Sequence, residues 1–310
     1  MTDFSNDAAP GQPLIESTPA ADFGGLSTAL DRIRLRYFPV WALAVMVISV
    51  VVVQFLPVSF EASPGVLGGA MVVITIVGWM GWTVTRHRLH LSALFGPFPK
   101  RPVVWGTAAV MVVAVDLFQG AEFALLVPWL EDAAPLMADW YQVSAADDLP
   151  SGTWAYLTRT VPPVLVAPLV EEVFFRGLLY QRWARSWRRP RWALAASAVA
   201  FAAVHGHVVS SLLFAIVATL LYLQTRSLWV PVVFHSVGNG VVALGGLPIT
   251  SGFEAVGIQA QQTVGVGCLV LALPLLGWFF WTHRSSLFDP LTYLQNLSSR
   301  RLRSSSEAGS

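Results

Sequence analysis

Long apolar stretches separated by short polar segments set the pattern of this chain. The apolar stretches cover residues 37–58, 66–85, 103–127, 156–181, 192–207, 208–225, 228–247 and 264–282. Most are close to the roughly 20 apolar residues that an α-helix needs to cross the hydrocarbon core of a bilayer. The pattern therefore predicts an all-α, polytopic membrane helix bundle of about eight transmembrane helices.

Polar segments divide the rest of the chain. Residues 1–30 are rich in Ala, Gly, Ser, Pro and Asp without periodicity, so they are expected to form a disordered N-terminal tail. Residues 31–283 are assigned to the transmembrane domain, and residues 284–310 to a basic, Ser-rich cytoplasmic tail. The stretch 37–58 is longer than a signal-peptide core and lacks a small-residue cleavage site, which favours a retained span. The boundary at 207/208 requires a very tight turn, and a re-entrant arrangement is the alternative there.

Composition supports the membrane assignment. Of 310 residues, 55% are hydrophobic and 12% are charged, with a mean hydropathy of +0.60. An ordinary soluble domain has about 25% charged residues. These values exclude a soluble enzyme, a disordered chain and a nucleic-acid binder with a basic face. The single cysteine, Cys268, excludes a disulfide within the chain and a CxxC metal or redox motif.

The positions of the charges predict the orientation in the membrane. If the chain crosses the membrane at each of the eight stretches, the connecting segments alternate between its two sides. Almost all basic residues then fall on the same side: Arg32, Arg34, Arg36, Arg86, Arg88, Lys100, Arg101, Arg182, Arg185, Arg188, Arg189, Arg191, Arg226, Arg284, Arg300, Arg301 and Arg303. Acidic residues fall on the other: Glu61, Glu131, Asp132, Asp139, Asp147, Asp148 and Glu254. By the positive-inside rule both termini are expected in the cytoplasm, in a multi-pass topology.

Ionisable side chains inside the apolar stretches are costly, so the exceptions are informative. The polar residues found there are Asp116, Gln119, Glu122, Glu171, Glu172, Arg176, His205, His207, His235 and Asn239. Glu172 and Arg176 are four residues apart, so they share a helix face and can pair. Glu171 is rotated by about 100° and is free to point elsewhere. His235 and Asn239 also share one face.

Polar side chains from three different apolar stretches are expected at similar depths in the membrane. At about 1.5 Å per residue, Glu171 lies about 15 Å from the cytoplasmic end of its stretch, and His205 lies about 20 Å along the next. His235 and Asn239 lie about 12 and 18 Å along the stretch 228–247 by the same estimate. This coincidence predicts one buried site that combines a carboxylate, two imidazoles and an amide.

These residue types suit hydrolysis. Glu171 could activate a water as general base, and a neutral imidazole could orient that water or shuttle its proton. His235 and Asn239 could donate hydrogen bonds to a developing oxyanion. One glutamate with two histidines is also a plausible zinc set with an open position. The sequence leaves both versions open: no cofactor is certain, and a divalent metal such as zinc would be held by Glu171, Glu172, His205 and His235.

The three motifs in this region resemble those of a known family. Glu171-Glu172-Val-Phe-Phe-Arg176, Phe201-Ala-Ala-Val-His205 and His235-Ser-Val-Gly-Asn239 resemble the EExxxR, FxxxH and HxxxN motifs of the CPBP family. This family contains the CAAX prenyl endopeptidases of the Rce type and the bacteriocin self-immunity (Abi) proteins. The resemblance covers residues 155–250 approximately.

The resemblance implies an intramembrane endopeptidase that hydrolyses a peptide bond of a membrane-associated protein or peptide. By position, Glu171 is similar to the water-activating base, His205 to its partner, and His235 with Asn239 to the oxyanion-stabilising pair. Glu172 and Arg176 are similar to supporting residues. The implied partners are membrane lipids and the protein or peptide substrate, and no nucleic acid is expected.

Two other functions fit part of the pattern. Intramembrane carboxylates and histidines also mark a transporter or proton-coupled channel, which should show paired broken helices in two halves of the chain. A non-catalytic bacteriocin-immunity or scaffold protein could use the same fold. For the remaining polar residues, we expect structural pairing or hydration of Asp116 and Glu122 and an interfacial position of His207. Pro162, Pro163 and Pro168 predict a helix start or kink, which could open a water path to Glu171.

Overall fold

The computed structural model describes residues 29–54, 64–134, 160–205, 207–243, 257–288 and 292–307. Some predictions lie outside these residues. They concern most of the N-terminal tail, the acidic connection from residue 135 to 159, and the end of the stretch 228–247.

Every secondary-structure element in the described ranges is helical, which confirms the all-α prediction for them. The main helices are α1 (Phe38–Gln54), α2 (Pro64–His87), α3 (Pro102–Ala133), α4 (residues 162–187), α5 (Pro190–Ala202), α6 (Val208–Thr225), α7 (Trp229–Ala243), α8 (Ile258–His283) and α9 (Thr292–Glu307). Helix α4 alternates between π and α winding, in the order Pro162–Val166, Ala167–Glu172, Val173–Tyr180 and Gln181–Trp187. Shorter helices are Ala29–Arg32, Leu35–Tyr37, Leu91–Phe95 and Arg284–Phe288.

Each predicted apolar stretch overlaps one of the helices α1 to α8. Among the described residues, three helices are long and apolar enough to cross a membrane: Pro102–Ala133, Val208–Thr225 and Ile258–Ser286. Leu35–Ile48 and Trp229–Ala243 are shorter apolar helices. The chain is therefore treated as an integral membrane protein, while eight crossings and cytoplasmic termini remain predictions. One boundary was wrong: the stretch 192–207 was expected to be helical throughout, but α5 ends at Ala202.

Large apolar side chains on the outer faces of the helices agree with a lipid environment. Examples are Val40, Ile74, Val113, Val270 and Trp281, which are all more than half exposed. A water-soluble monomer rarely exposes contiguous apolar surface of this extent. These faces are suited to contact with lipid chains.

Close packing of α3 against α8 forms one side of the bundle. A Cβ atom on Gly265 would lie 2.7 Å from the Cβ atom of Ala124 and 2.9 Å from the Cγ atom of Leu125. Only glycine permits this approach, as is common where membrane helices meet through small residues. The packing holds α3 beside the helices that carry the site.

The short helix Leu91–Phe95 joins several elements at the end of the bundle where α2 ends and α3 begins. The Leu94 carbonyl accepts a hydrogen bond from the Tyr222 hydroxyl at 3.1 Å, and the Phe95 carbonyl accepts one from the Leu228 amide at 2.8 Å. Gly96 then has a φ of +66°, and a Cβ atom there would collide with the carbonyl oxygen of Arg226. The chain therefore needs glycine at this turn.

Candidate active site

Prolines determine the backbone of α4 just before its carboxylates. The Ala167 amide donates to the Pro162 carbonyl, five residues back, which is the π-helical pattern. In this register the Pro163 carbonyl would accept from residue 168, but Pro168 has no N–H. The Nδ2 atom of Asn239 on α7 donates to the Pro163 oxygen instead, at 2.7 Å. The prolines therefore disturb the α-helical hydrogen bonding, as expected, and Asn239 of α7 supplies the hydrogen bond to the Pro163 carbonyl.

Glu172 joins two helices through a buried polar contact. Its Oε1 atom accepts a hydrogen bond from Arg176 Nη1 at 2.7 Å, so the ion pair expected from their spacing is present. The same oxygen lies 2.9 Å from Nδ1 of His235 on α7. Glu172 and Arg176 are 0% and 1% exposed. A buried charge pair of this kind needs further hydrogen bonds to offset its desolvation, and His235 provides one.

Glu171 faces a different direction and meets both histidines. Its Oε2 atom lies 3.5 Å from Nε2 of His205 and 4.0 Å from Nε2 of His235. This oxygen is buried and has no hydrogen-bond partner among the residues that the structure describes. The side chains of Glu171 and His205 are 18% and 30% exposed, so the group remains accessible from one side. Three of the predicted site residues thus converge on one point.

The contacts of the two Nδ1 atoms indicate which nitrogen of each imidazole ring carries a hydrogen. Nδ1 of His205 lies 2.7 Å from the Phe201 carbonyl oxygen, and Nδ1 of His235 contacts the Glu172 carboxylate. A carbonyl and an ionised carboxylate can only accept, so both Nδ1 atoms carry a hydrogen. In the neutral rings, both Nε2 lone pairs therefore face the Oε2 atom of Glu171. Such a group of three acceptors is suited to a water molecule or another hydrogen donor between them.

Aromatic rings enclose the charged groups. The Phe201 ring stacks on His205 with centroids 4.1 Å apart, and the Arg176 guanidinium lies 4.6 Å from the centre of the same ring. Phe214 of α6 packs edge-on against His235 at 4.6 Å. Phe201 belongs to a predicted motif, but nothing in the sequence distinguished Phe214, because phenylalanine is common throughout the apolar stretches. The Phe201 and Phe214 rings lie against the Arg176 guanidinium and make cation–π contacts with it.

A carboxylate from α3 supports the turn that carries His205. Because α5 ends at Ala202, His205 lies in the connection to α6 rather than in a helix. Glu122 accepts hydrogen bonds from the amides of Val209 at 3.1 Å and Ser210 at 2.7 Å. It thereby caps the first turn of α6 from a neighbouring helix, where negative charge is also favourable. This agrees with the structural role expected for Glu122, although the capping itself was not predicted.

The other polar residues of the apolar stretches lie around this group. His207 packs its ring against Phe123, with centroids 4.5 Å apart. Asp116 faces α7, where a Cβ atom on Gly238 would lie 3.8 Å from its Oδ1 atom. Asn239 is placed by its bond to the Pro163 carbonyl, and its part in an oxyanion site stays a prediction. The structure therefore brings together Glu171, Glu172, Arg176, His205 and His235 most directly.

The fit of a metal ion can be assessed from the donor set. Glu171, His205 and His235 have the ligand chemistry of a zinc site, and both rings have the Nδ1 hydrogen bonds that are typical of metal-bound histidines. However, no group of three or more His, Cys, Asp or Glu residues in the described part of the chain is arranged to hold a metal ion. Glu172 is already engaged by Arg176 and His235. The arrangement therefore does not form a metal centre as it stands.

Comparison with known families agrees with the motifs. Residues 153–241 match the family model described as type II CAAX prenyl endopeptidase Rce1-like. This segment is Rce1-like. No curated protein and no solved structure gives a significant match to the chain. The Rce1-like segment contains all three motifs, from Glu171 to Asn239, whereas Glu122 lies outside it.

Proposed function

We propose that this protein is an intramembrane endopeptidase that uses Glu171 to activate water for hydrolysis of a peptide bond. The Rce1-like family is a protease family, which supports a hydrolase in general terms. The observation that carries the specific proposal is the convergence of two imidazole Nε2 atoms on the buried Glu171 Oε2 atom. The substrate is a membrane-associated protein or peptide, and the enzyme acts among membrane lipids, in a bacterial cytoplasmic membrane, without nucleic acid.

The first step is addition of water to the scissile carbonyl. A water held between Glu171 and His205 donates one proton to the carboxylate as its oxygen bonds to the carbonyl carbon. The Nε2 atom of His205 accepts the second hydrogen of this water and so orients it. The hydrogen bond from His205 Nδ1 to the Phe201 carbonyl keeps the ring in the required tautomer.

The second requirement is stabilisation of the oxyanion. His235 can donate to the oxyanion through Nε2 when that atom carries a hydrogen, and the contact of its Nδ1 atom with the Glu172 carboxylate holds the ring in place. Asn239 has a second N–H besides the one bonded to Pro163, and this hydrogen can serve the same oxyanion. Glu171 then returns its proton to the leaving amine, and the C–N bond breaks.

Site variants in a defined membrane test the proposal. The purified protein is reconstituted in liposomes with membrane-anchored peptides, and cleavage is followed by mass spectrometry. Glu171→Gln is expected to lower kcat by about 10²- to 10⁴-fold, which is the usual contribution of a general base. Asp132→Asn, an exposed carboxylate at the end of α3, is the matched control and should retain full activity.

Three results would contradict the proposal. Full activity of Glu171→Gln on a genuine substrate would exclude Glu171 as the base. Solute or proton flux that depends on Glu171, without cleavage, would favour a transporter or proton-coupled channel. A cellular phenotype that survives Glu171→Gln at normal protein levels would favour a non-catalytic immunity or scaffold protein.

The question of metal requires a separate measurement. A divalent ion such as zinc would use Glu171, Glu172, His205 and His235 as its possible ligands. We propose the metal-free mechanism because Glu172 is occupied by two hydrogen-bond donors. Elemental analysis of the purified protein is expected to find less than stoichiometric metal, and a chelator should leave cleavage unchanged. Stoichiometric zinc that is lost in His205→Ala would overturn this part of the proposal.

A further inference from the structure

Asp116 is an ionisable side chain inside the apolar stretches that the proposed hydrolysis does not use. It lies in the middle of α3, outside the Rce1-like segment. The structural pairing expected for it is absent, because no side chain in the described ranges bonds to it or pairs with it. Glu122 and Glu172, by contrast, both accept hydrogen bonds from described residues. An unpaired carboxylate within a membrane segment is costly, so it indicates a partner that these residues do not supply.

The Asp116 carboxylate is accessible and faces open space. The residue is partly exposed, and neither of its oxygens is among the buried polar atoms that lack a hydrogen-bond partner. A Cβ atom on Gly238 of α7 would lie 3.8 Å from Asp116 Oδ1, and it would meet no other described atom outside its own helix within 4 Å. The missing side chain of Gly238 therefore leaves room for a small group of a ligand in front of the carboxylate.

This space adjoins the candidate active site. Gly238 follows His235 by three residues, so the two lie on neighbouring turns of one side of α7. Further along α3, the Phe123 ring packs against His207 with centroids 4.5 Å apart, in the connection that also carries the other candidate histidine. Asp116 and Phe123 are seven residues apart and share a face of α3. That face therefore runs beside both of the elements that carry the candidate histidines.

Negative charge is in excess around this space. The carboxylates of Glu171, Glu172 and Asp116 lie on the two helices α3 and α4, which both pack against α7. Arg176 neutralises Glu172 through their ion pair, whereas Glu171 and Asp116 form no ion pair with a lysine or arginine in the described ranges. A protonated amine or a guanidinium is therefore attracted to this region, most strongly where apolar walls limit the screening by water.

We propose that Asp116 binds a cationic side chain of the substrate, a lysine or arginine near the scissile peptide bond. This inference rests on the proposed endopeptidase function and adds a substrate preference to the same site. The cation forms a charge-assisted hydrogen bond with the carboxylate across the space at Gly238, which is stronger than a bond between neutral groups. Gln119 is also partly exposed and lies one turn from Asp116 on the same face, where its amide can bond to the peptide backbone.

Matched peptides test the preference in the full-length chain in liposomes. Membrane-anchored peptides carry either lysine or its uncharged analogue norleucine at successive positions, and the ratio of their kcat/KM values is measured at each position. The wild type is expected to prefer lysine by tenfold or more at one position, a difference of about 1.4 kcal/mol. The ratio should fall to about one in Asp116→Asn and stay high in Asp116→Glu, which keeps a carboxylate. Asp132→Asn, exposed on the same helix, is the matched control and should keep the full ratio.

Binding to Glu171→Gln separates this inference from the proposed hydrolysis. The affinity of this variant for the same peptides is measured without any need for cleavage, and it should be tenfold or more higher for lysine than for norleucine. Addition of Asp116→Asn should abolish the difference. If the peptides bind in this way but the wild type does not cleave them, the cation site stands and the endopeptidase is rejected. If the wild type cleaves lysine and norleucine peptides equally, the endopeptidase stands and the cation site is rejected. Equal binding without cleavage would contradict both.

Thermal unfolding distinguishes substrate binding from a structural role of Asp116. Asp116→Asn removes a carboxylate charge without a partner, so the unfolding temperature without peptide should stay unchanged or rise. In Glu171→Gln, the lysine peptide should raise the unfolding temperature more than the norleucine peptide does. A lower unfolding temperature of Asp116→Asn together with an unchanged lysine preference would show a structural role and would overturn the proposal.

Discussion

Asn239 on α7 donates its side-chain amide to the carbonyl oxygen of Pro163 on α4, 2.7 Å away. This carbonyl has no helical partner, because the Ala167 amide donates to Pro162 and Pro168 has no N–H. The bond joins the last motif residue to the start of the helix that carries Glu171. Asn239 therefore has a structural contact in addition to the proposed contact with the oxyanion.

Asn239→Ala combined with Pro168→Ala should separate these two contributions. The single variant Asn239→Ala removes the hydrogen bond to the Pro163 carbonyl, which lies at an exposed position, and is expected to destabilise the protein by about 0.5–1.5 kcal/mol. Adding Pro168→Ala provides an N–H five residues after Pro163, so thermal stability should be restored. Cleavage activity should stay low in the double variant if Asn239 also serves the oxyanion. Failure of Pro168→Ala to restore stability would contradict this account of the bond.

The two adjacent glutamates should differ in their effect on stability. Glu172→Gln leaves the buried Arg176 guanidinium without its counter-charge, for which we expect a loss of about 3–5 kcal/mol. Glu171→Gln removes a buried carboxylate oxygen without a hydrogen-bond partner, so the unfolding temperature should be unchanged or higher. Thermal unfolding in detergent measures both variants. Equal destabilisation by the two changes would be inconsistent with the separate environments of the carboxylates.

Glu122 should influence catalysis through the turn between α5 and α6. Glu122→Ala frees the amides of Val209 and Ser210 and is expected to cost about 0.5–2 kcal/mol, as for other lost helix caps. Because His205 lies in this turn, kcat should fall more than KM rises. Glu122→Asp keeps a carboxylate acceptor, so it should recover part of the stability and part of kcat.

A double-mutant cycle distinguishes this positioning role from simple loss of stability. If Glu122 acts through His205, then Glu122→Ala should have little further effect on kcat in a His205→Ala background. Additive effects on kcat at a temperature where both proteins are folded would exclude the coupling.

Topology can be tested with single cysteines. In a Cys268→Ser background, a cysteine replaces Arg101, Arg191 or Asp132 in turn, all of which are exposed. A maleimide that cannot cross the membrane is expected to label Asp132→Cys in intact cells, and the other two only after lysis, because basic loops remain in the cytoplasm. Labelling of Arg101→Cys in intact cells would overturn the proposed orientation.

The sequence by itself determined the helical class and the local pairs of the site. Apolar stretches of this length predict helices, because the backbone in a bilayer must satisfy its own hydrogen bonds. The Glu172–Arg176 pair followed from helix periodicity, because residues four apart share a face. The three motifs were recognisable because charged and polar side chains are rare in such stretches.

Only the tertiary structure decided which side chains from different helices meet. The approach of His205 and His235 to Glu171, the packing of Phe214 and the capping by Glu122 depend on how α3 to α7 pack together. The end of α5 at Ala202, which places His205 in a turn, was also missed, although the sequence His205-Gly206-His207 interrupts the apolar pattern there. Hydropathy and periodicity describe one helix at a time, whereas these contacts arise from interhelical packing between residues far apart in the chain.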